Sequence, residues 1–186
     1  MVPVLSLWLP IVLSAVFVYI ASSIIHMVLR YHRADMTALP HEDEAREALR
    51  RYDIPPGDYF TPWGGSMAAM KDPAFIAKMK EGPVALMTFV PPGPPKMGKN
   101  LLLWFLYSIV VSGLAAYVTG HALPVGAGYR GVFRIAGCVA FAGYSLALLQ
   151  NSIWYYRNWG TTLRSMFDGL IYAGLTAGTF GWLWPR

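Results

Sequence analysis

The chain has 186 residues, a formal net charge of +5, 55% hydrophobic residues and only 13% charged ones. A soluble chain usually carries about a quarter charged residues, so this composition, with a mean hydropathy of +0.41, points to an integral membrane protein and away from a soluble domain. The pI near 9.4 does not mark a nucleic-acid binder, because the basic residues flank apolar segments, where the positive-inside rule already accounts for them. A lone cysteine, Cys138, rules out an intrachain disulfide and a cysteine-based zinc site.

Residues 1–29 contain no Asp, Glu, Lys or Arg, and about 20 residues suffice to cross the hydrocarbon core. No charge precedes the apolar run, while Arg30 and Arg33 follow it. A signal peptide would show the reverse, so the pattern predicts an uncleaved first transmembrane helix with its N-terminus outside. Residues 30–100 are the polar territory, holding ten of the fifteen Lys and Arg and nine of the ten acids. They read as a cytosolic collar: irregular, partly helical, and too rich in Pro and Gly for a core of its own.

Two short amphipathic helices are predicted in the collar. The first runs over about 41–52, with Glu42, Asp43 and Glu44 in its first turn and Arg50 and Arg51 in its last, as the helix dipole favours. The second runs over about 72–81, opened by Asp72 and Pro73 and stopped by Gly82. Its apolar face of Phe75, Ile76 and Met79 is a candidate lipid or partner contact. Val84 to Val90 is an apolar extended run with no evident strand to pair with.

A three-helix transmembrane bundle is predicted over 101–186, with spans at about 101–123, 131–154 and 165–184. The fold class is therefore an all-α membrane protein with four transmembrane helices and both termini outside. Arg130 and Arg134 oppose that orientation, but the lysines and arginines of 30–100 outnumber them. Small residues at helical steps provide for close packing: Ser108, Ser112, Ala116 and Gly120, then Ala136 and Ala140, then Gly174 and Gly178. This reading builds the bundle from the last three spans, with the first attached more loosely.

Gly126-Ala127-Gly128-Tyr129-Arg130-Gly131 matches a dinucleotide-binding pattern in letters only, since it joins two membrane spans and lacks the strand and the acid that the chemistry needs. Asp168 is the one acid in the apolar segments, and an ionisable residue inside a membrane is a functional candidate by default. The bland reading puts it in the first turn of the last span, favourable for the dipole and four residues from Arg164. Asn151, Arg157, Arg164 and Asp168 form the candidate polar site at the cytosolic membrane face. Arg134 is a candidate contact for an anionic lipid or a partner. His32–Asp35 and His41–Glu44 have the spacing of helical metal-ligand pairs, whereas His26–His32 does not. These pairs are weak candidates, and no metal and no cofactor is expected.

No nucleophile, base or cofactor signature identifies a reaction. The favoured reading is an accessory, assembly or scaffold protein that works through the lipid bilayer and a membrane-protein partner or homo-oligomer, without nucleic acid and without catalysis. The alternative is a small membrane enzyme, or a lipid- or solute-handling protein, with its site at the cytosolic face. A bacterial inner membrane is the expected location.

Overall fold

The computed structural model describes all 186 residues and divides into two compact units. One comprises Met1–Thr37 with Lys96–Arg186, the other Ala38–Pro95.

The larger unit is helical. After a 3-10 turn at Val4–Leu7 comes α1, Trp8–Met27, and a second 3-10 turn follows at Tyr31–Asp35. The smaller unit supplies α2 (Glu42–Arg50), β1 (Gly57–Thr61), α3 (Pro73–Glu81) and β2 (Ala85–Phe89). The larger unit resumes with α4 (Met97–Ala122), α5 (Tyr129–Tyr144), α6 (Leu149–Tyr155) and α7 (Trp159–Trp182). Three stretches are long and apolar enough to cross a membrane: Val4–Met27, Met97–Ala122 and Tyr129–Trp154. With 24 residues α7 has the length, but its first half carries Arg164 and Asp168.

α1 is not a loose attachment. Its Val18 and Ile25 are buried with Val111 of α4, Ala140 of α5 and Ala173 of α7. The indole N–H of Trp104 donates to Ser22 Oγ at 2.8 Å. A second apolar cluster joins Val2 and Leu7 to Ala116, Val132 and Phe180. Both chain ends are tied to loops or helix ends there: Val2 N–H donates to Gly120 O at 2.8 Å, and Gly126 N–H to Pro185 O at 2.9 Å.

The third apolar stretch is not one continuous helix over 131–154. It begins at Tyr129 and breaks at Ser145, whose φ and ψ are −126° and −49°. The break is held by polar contacts to neighbouring helices. Ser145 Oγ donates to Met166 O of α7 at 3.2 Å, and Tyr107 of α4 donates to the freed Gly143 carbonyl at 2.5 Å. The last helix starts at Trp159 rather than near 165, because Asn158 caps it by accepting the Gly160 N–H at 2.7 Å. Asp168 consequently lies in the third turn, outside the reach of the end-of-helix dipole.

The close approach on α7 also differs from expectation. A methyl group at Gly174 would meet nothing within 4 Å and one at Gly178 only Tyr129 Oη at 3.7 Å, so within the chain the buried small residues on this stretch are the neighbouring Ala173 and Ala177. At Gly169 the same methyl would overlap Ser145 Oγ and stand 3.0 Å from the Tyr144 carbonyl oxygen. Gly169 is where α7 lies against the break.

In the smaller unit the all-α expectation fails locally. β1 and β2 pair antiparallel, from Gly57 opposite Phe89 to Thr61 opposite Ala85. Thr88 donates to Asp58 Oδ1 at 2.6 Å, and the Tyr59 and Phe89 rings meet edge to face at 5.8 Å. β1 was hidden because Gly and Asp, poor strand formers, fill two of its five positions (GDYFT). α3 opens with Ala74 N–H donating to Asp72 Oδ1 at 2.9 Å. α2 ends at Arg50, short of residue 52. No residue of Ala38–Pro95 is fully buried, so this unit lacks an apolar core of its own.

Substituting Gly169→Ala should destabilise the protein by about 1–3 kcal/mol, as overpacking does, while Gly174→Ala should be neutral. Thermal melting in detergent checks the pair; equal melting temperatures would contradict the packing described.

Candidate functional site

One polar cluster is built into the otherwise apolar unit. α1 ends at Met27, the chain turns, and the 3-10 turn Tyr31–Asp35 lies against the first half of α7. Asp168 is the anchor, with its side chain only 4% exposed. A bare carboxylate at such a place would be costly, so its oxygens must be satisfied. Tyr31 OH donates to Asp168 Oδ1, and His32 Nε2 stands 2.7 Å from Asp168 Oδ2.

His32 is shared between two carboxylates, since its Nδ1 lies 2.6 Å from Asp35 Oδ2. The other Asp35 oxygen accepts from Arg164 Nε at 2.8 Å and from Nη2 at 2.5 Å. Arg164 and Asp168 sit one turn apart on α7 and are both members of one chain of bonds: Arg164–Asp35–His32–Asp168–Tyr31. Arg164 does not pair with Asp168, as the spacing of four would allow.

His26, at the end of α1, stacks on His32 with ring centroids 4.6 Å apart and planes 9° from parallel. Its Nδ1 is 3.0 Å from Ser22 O. Deeper in the bundle, Tyr172 follows Asp168 by one turn, and its buried hydroxyl has no hydrogen-bond partner.

The electrostatics follow from this wiring. Burial by itself would push the Asp35 carboxyl up, but the hydrogen bonds from His32 and Arg164 and the Arg164 charge outweigh it and hold it below the usual carboxylate range. Burial, the bond to Asp168 and the nearby carboxylate charges all push the Tyr31 hydroxyl upward, so it stays a donor.

The other candidates lie elsewhere. Asn151 is at the start of α6, and its carbonyl accepts the Arg157 backbone N–H at 3.1 Å; Arg157 itself is exposed. Neither side chain joins the cluster. His41 and Glu44 belong to the smaller unit, 4.0 Å apart with side chains 80% and 85% exposed, and form no ligand set. Arg134 is exposed on α5. Phe75, Ile76 and Met79 sit on α3, and Phe75 lines an open groove of about 570 Å³ with Trp63, Lys78 and Pro83.

Sequence reasoning missed the role of Tyr31, and it set His26 aside because six residues is a poor spacing on one helix. The chain leaves the helix at Met27, so helical spacing no longer governs the pair. Comparison of the chain with protein-family models, with curated proteins and with solved structures found no match.

Asp35 tests the wiring through pH. Its folded-state pKa is lowered, so its contribution is present above the unfolded value of about 3.9 and is lost as pH falls through the folded value. Asp35→Asn should therefore lower the melting temperature at neutral pH, with the gap to wild type closing below about pH 3.9. A gap of constant size would assign Asp35 a packing role instead.

Proposed function

We propose that the chain is a four-span membrane protein whose function is exercised at the imidazole–carboxylate cluster of Tyr31, His32, Asp35, Arg164 and Asp168. It is a small membrane enzyme, or a protein that handles a lipid or solute, acting at one face of the bilayer. The observation that carries this reading is a partly buried histidine bonded to two carboxylates inside a unit stabilised by apolar and small-residue packing. Simple closure of the bundle would not need charge there, because an apolar contact of the same volume is often as stable or more so. Ionisable groups at such positions in membrane proteins serve ligands or protons.

Chemically, Asp35 orients the imidazole and Arg164 fixes Asp35, the arrangement that sets a histidine for general acid–base work or for binding a ligand. Arg164 Nε and Nη2 are spent on Asp35, so Nη1 supplies the donors to an anionic group entering beside it.

The orientation follows from charge. α7 serves as the fourth span, both termini lie outside, and residues 30–100 lie in the cytosol, as their excess of Lys and Arg favours. A bacterial inner membrane suits this arrangement. A second reading, an accessory subunit bound to a membrane-protein partner, draws on Ala38–Pro95: this unit exposes Trp63, Met67 and Met70 and buries no residue fully.

Two experiments test these statements. Reporter fusions after Pro92 and after Asn158 should be active only in the cytosol, and one after Arg186 only outside; a cytosolic C-terminus would reduce the spans to three. In the native host, chromosomal His32→Gln, in protein that accumulates in the membrane at wild-type levels, should reproduce the deletion phenotype, and so should Asp168→Asn. Full complementation by both variants would move the function away from the cluster.

A further inference from the structure

We infer that His26, His32 and Asp168 bind a divalent first-row transition-metal ion, of the zinc or ferrous class, as a two-histidine, one-carboxylate centre. The inference rests on the reading that this cluster is the working site, and it names the ligand. The potential ligand atoms of these three residues lie within 4.8 Å of one another. Tetrahedral ligands about 2.0–2.1 Å from a zinc ion stand roughly 3.3 Å apart, so capture needs side-chain adjustments and no rebuilding of the backbone.

Proximity alone would be weak support. The stronger observation is that each ligand is already held from behind. Nδ1 of His26 points to the Ser22 carbonyl at 3.0 Å, and Nδ1 of His32 to Asp35 Oδ2 at 2.6 Å. With Nδ1–H donated, His26 presents the lone pair of Nε2, and His32 presents it once the proton between its Nε2 and Asp168 has left. Metal-binding histidines have this outer-sphere arrangement, with the second nitrogen on a carbonyl or carboxylate. Asp35 is itself clamped by Arg164, and Asp168 Oδ1 is occupied by Tyr31, which leaves Oδ2 for the ion.

The Nε2 of His32 and Oδ2 of Asp168 are 2.7 Å apart, a line held by a shared proton that the cation displaces on binding. Stacked rings cannot direct both in-plane lone pairs at one ion, so His26 must tilt away from His32. His26 is exposed, so its ring has solvent to move into.

The donor set selects the ion. Two imidazoles with one carboxylate disfavour calcium and magnesium, which take oxygen ligands, and the absence of sulfur disfavours cuprous ion. Three protein ligands leave a coordination position for water or substrate, as catalytic rather than structural sites do. The exposed His26 side is where that position opens.

The test uses the full chain in detergent, carrying a tag without histidine and freed of metal by chelation. Titration with Co²⁺ should give one equivalent of bound ion with the visible d–d bands of a nitrogen–oxygen site, and Zn²⁺ should displace it. Asp168→Asn removes a buried partner and endangers the fold, so His26→Ala is the deciding variant: its side chain is exposed, makes its hydrogen bond within α1 and otherwise stacks on His32. It should melt like the metal-free wild type and bind Co²⁺ at least about tenfold more weakly. The double variant His41→Ala/His121→Ala should bind like wild type. Absence of a stoichiometric ion in the wild type, or affinity undiminished in His26→Ala, overturns the inference.

The outcomes separate the two readings. A protein that binds no metal but loses function in His32→Gln keeps the cluster as the working site. One that binds metal but is fully complemented by that variant keeps the metal site and loses the functional reading.

Discussion

The structure of the larger unit depends on one buried carboxylate. Asp168 lies in the third turn of α7, and what satisfies it comes from the segment after α1, through Tyr31 and His32. Taking that charge from water is worthwhile only if both oxygens are bonded. The requirement fixes where α1 must stop, which way the chain turns, and how α1 lies on α7. The same demand extends outward to Asp35 and Arg164, whose bonds at 2.5 and 2.8 Å secure the turn to the helix a second time. Apolar packing makes the bundle compact, but Val18 and Ile25 against Val111 and Ala173 would tolerate sliding. The polar chain does not, because its bonds have one register.

The helical-bundle character was legible in the sequence because it rests on local signals. Long apolar runs with few charges mark the three stretches able to cross a membrane, and Asp72–Pro73 and Gly82 mark the ends of α3. What was not legible depends on contacts between distant segments. β1 reads as loop until Ala85–Phe89 lies beside it. The break at Ser145 has no Pro to announce it; it needs Met166 and Tyr107 to accept and supply its hydrogen bonds. Asn158 could have been recognised as a helix cap, and that would have moved Asp168 away from the dipole.

The site divides along the same line. Arg164 and Asp168 stood out because charges are rare in such a chain, and His32–Asp35 because of its spacing. That these four residues meet, 129 to 136 positions apart in sequence, is a property of the fold. His26 was dismissed by a rule valid only while the backbone stays helical. Asn151 and Arg157 were drawn in by sequence proximity to Asp168, yet α6 and the left-handed Tyr156 (φ 55°) carry their side chains elsewhere.

The bond between His32 and Asp168 also sets an order of events during synthesis. The two residues are separated by 136 positions, and at about 5–20 residues per second a ribosome takes roughly 7–27 s to make the interval. Throughout that time α1 has left the ribosome with an imidazole and a carboxylate at its end and no guanidinium or second carboxylate to meet them. Water and headgroups must serve them until α7, the last helix, arrives. The final helix to emerge thus completes the polar chain and closes the bundle, so a nascent chain stalled before residue 164 would hold three apolar stretches and no site.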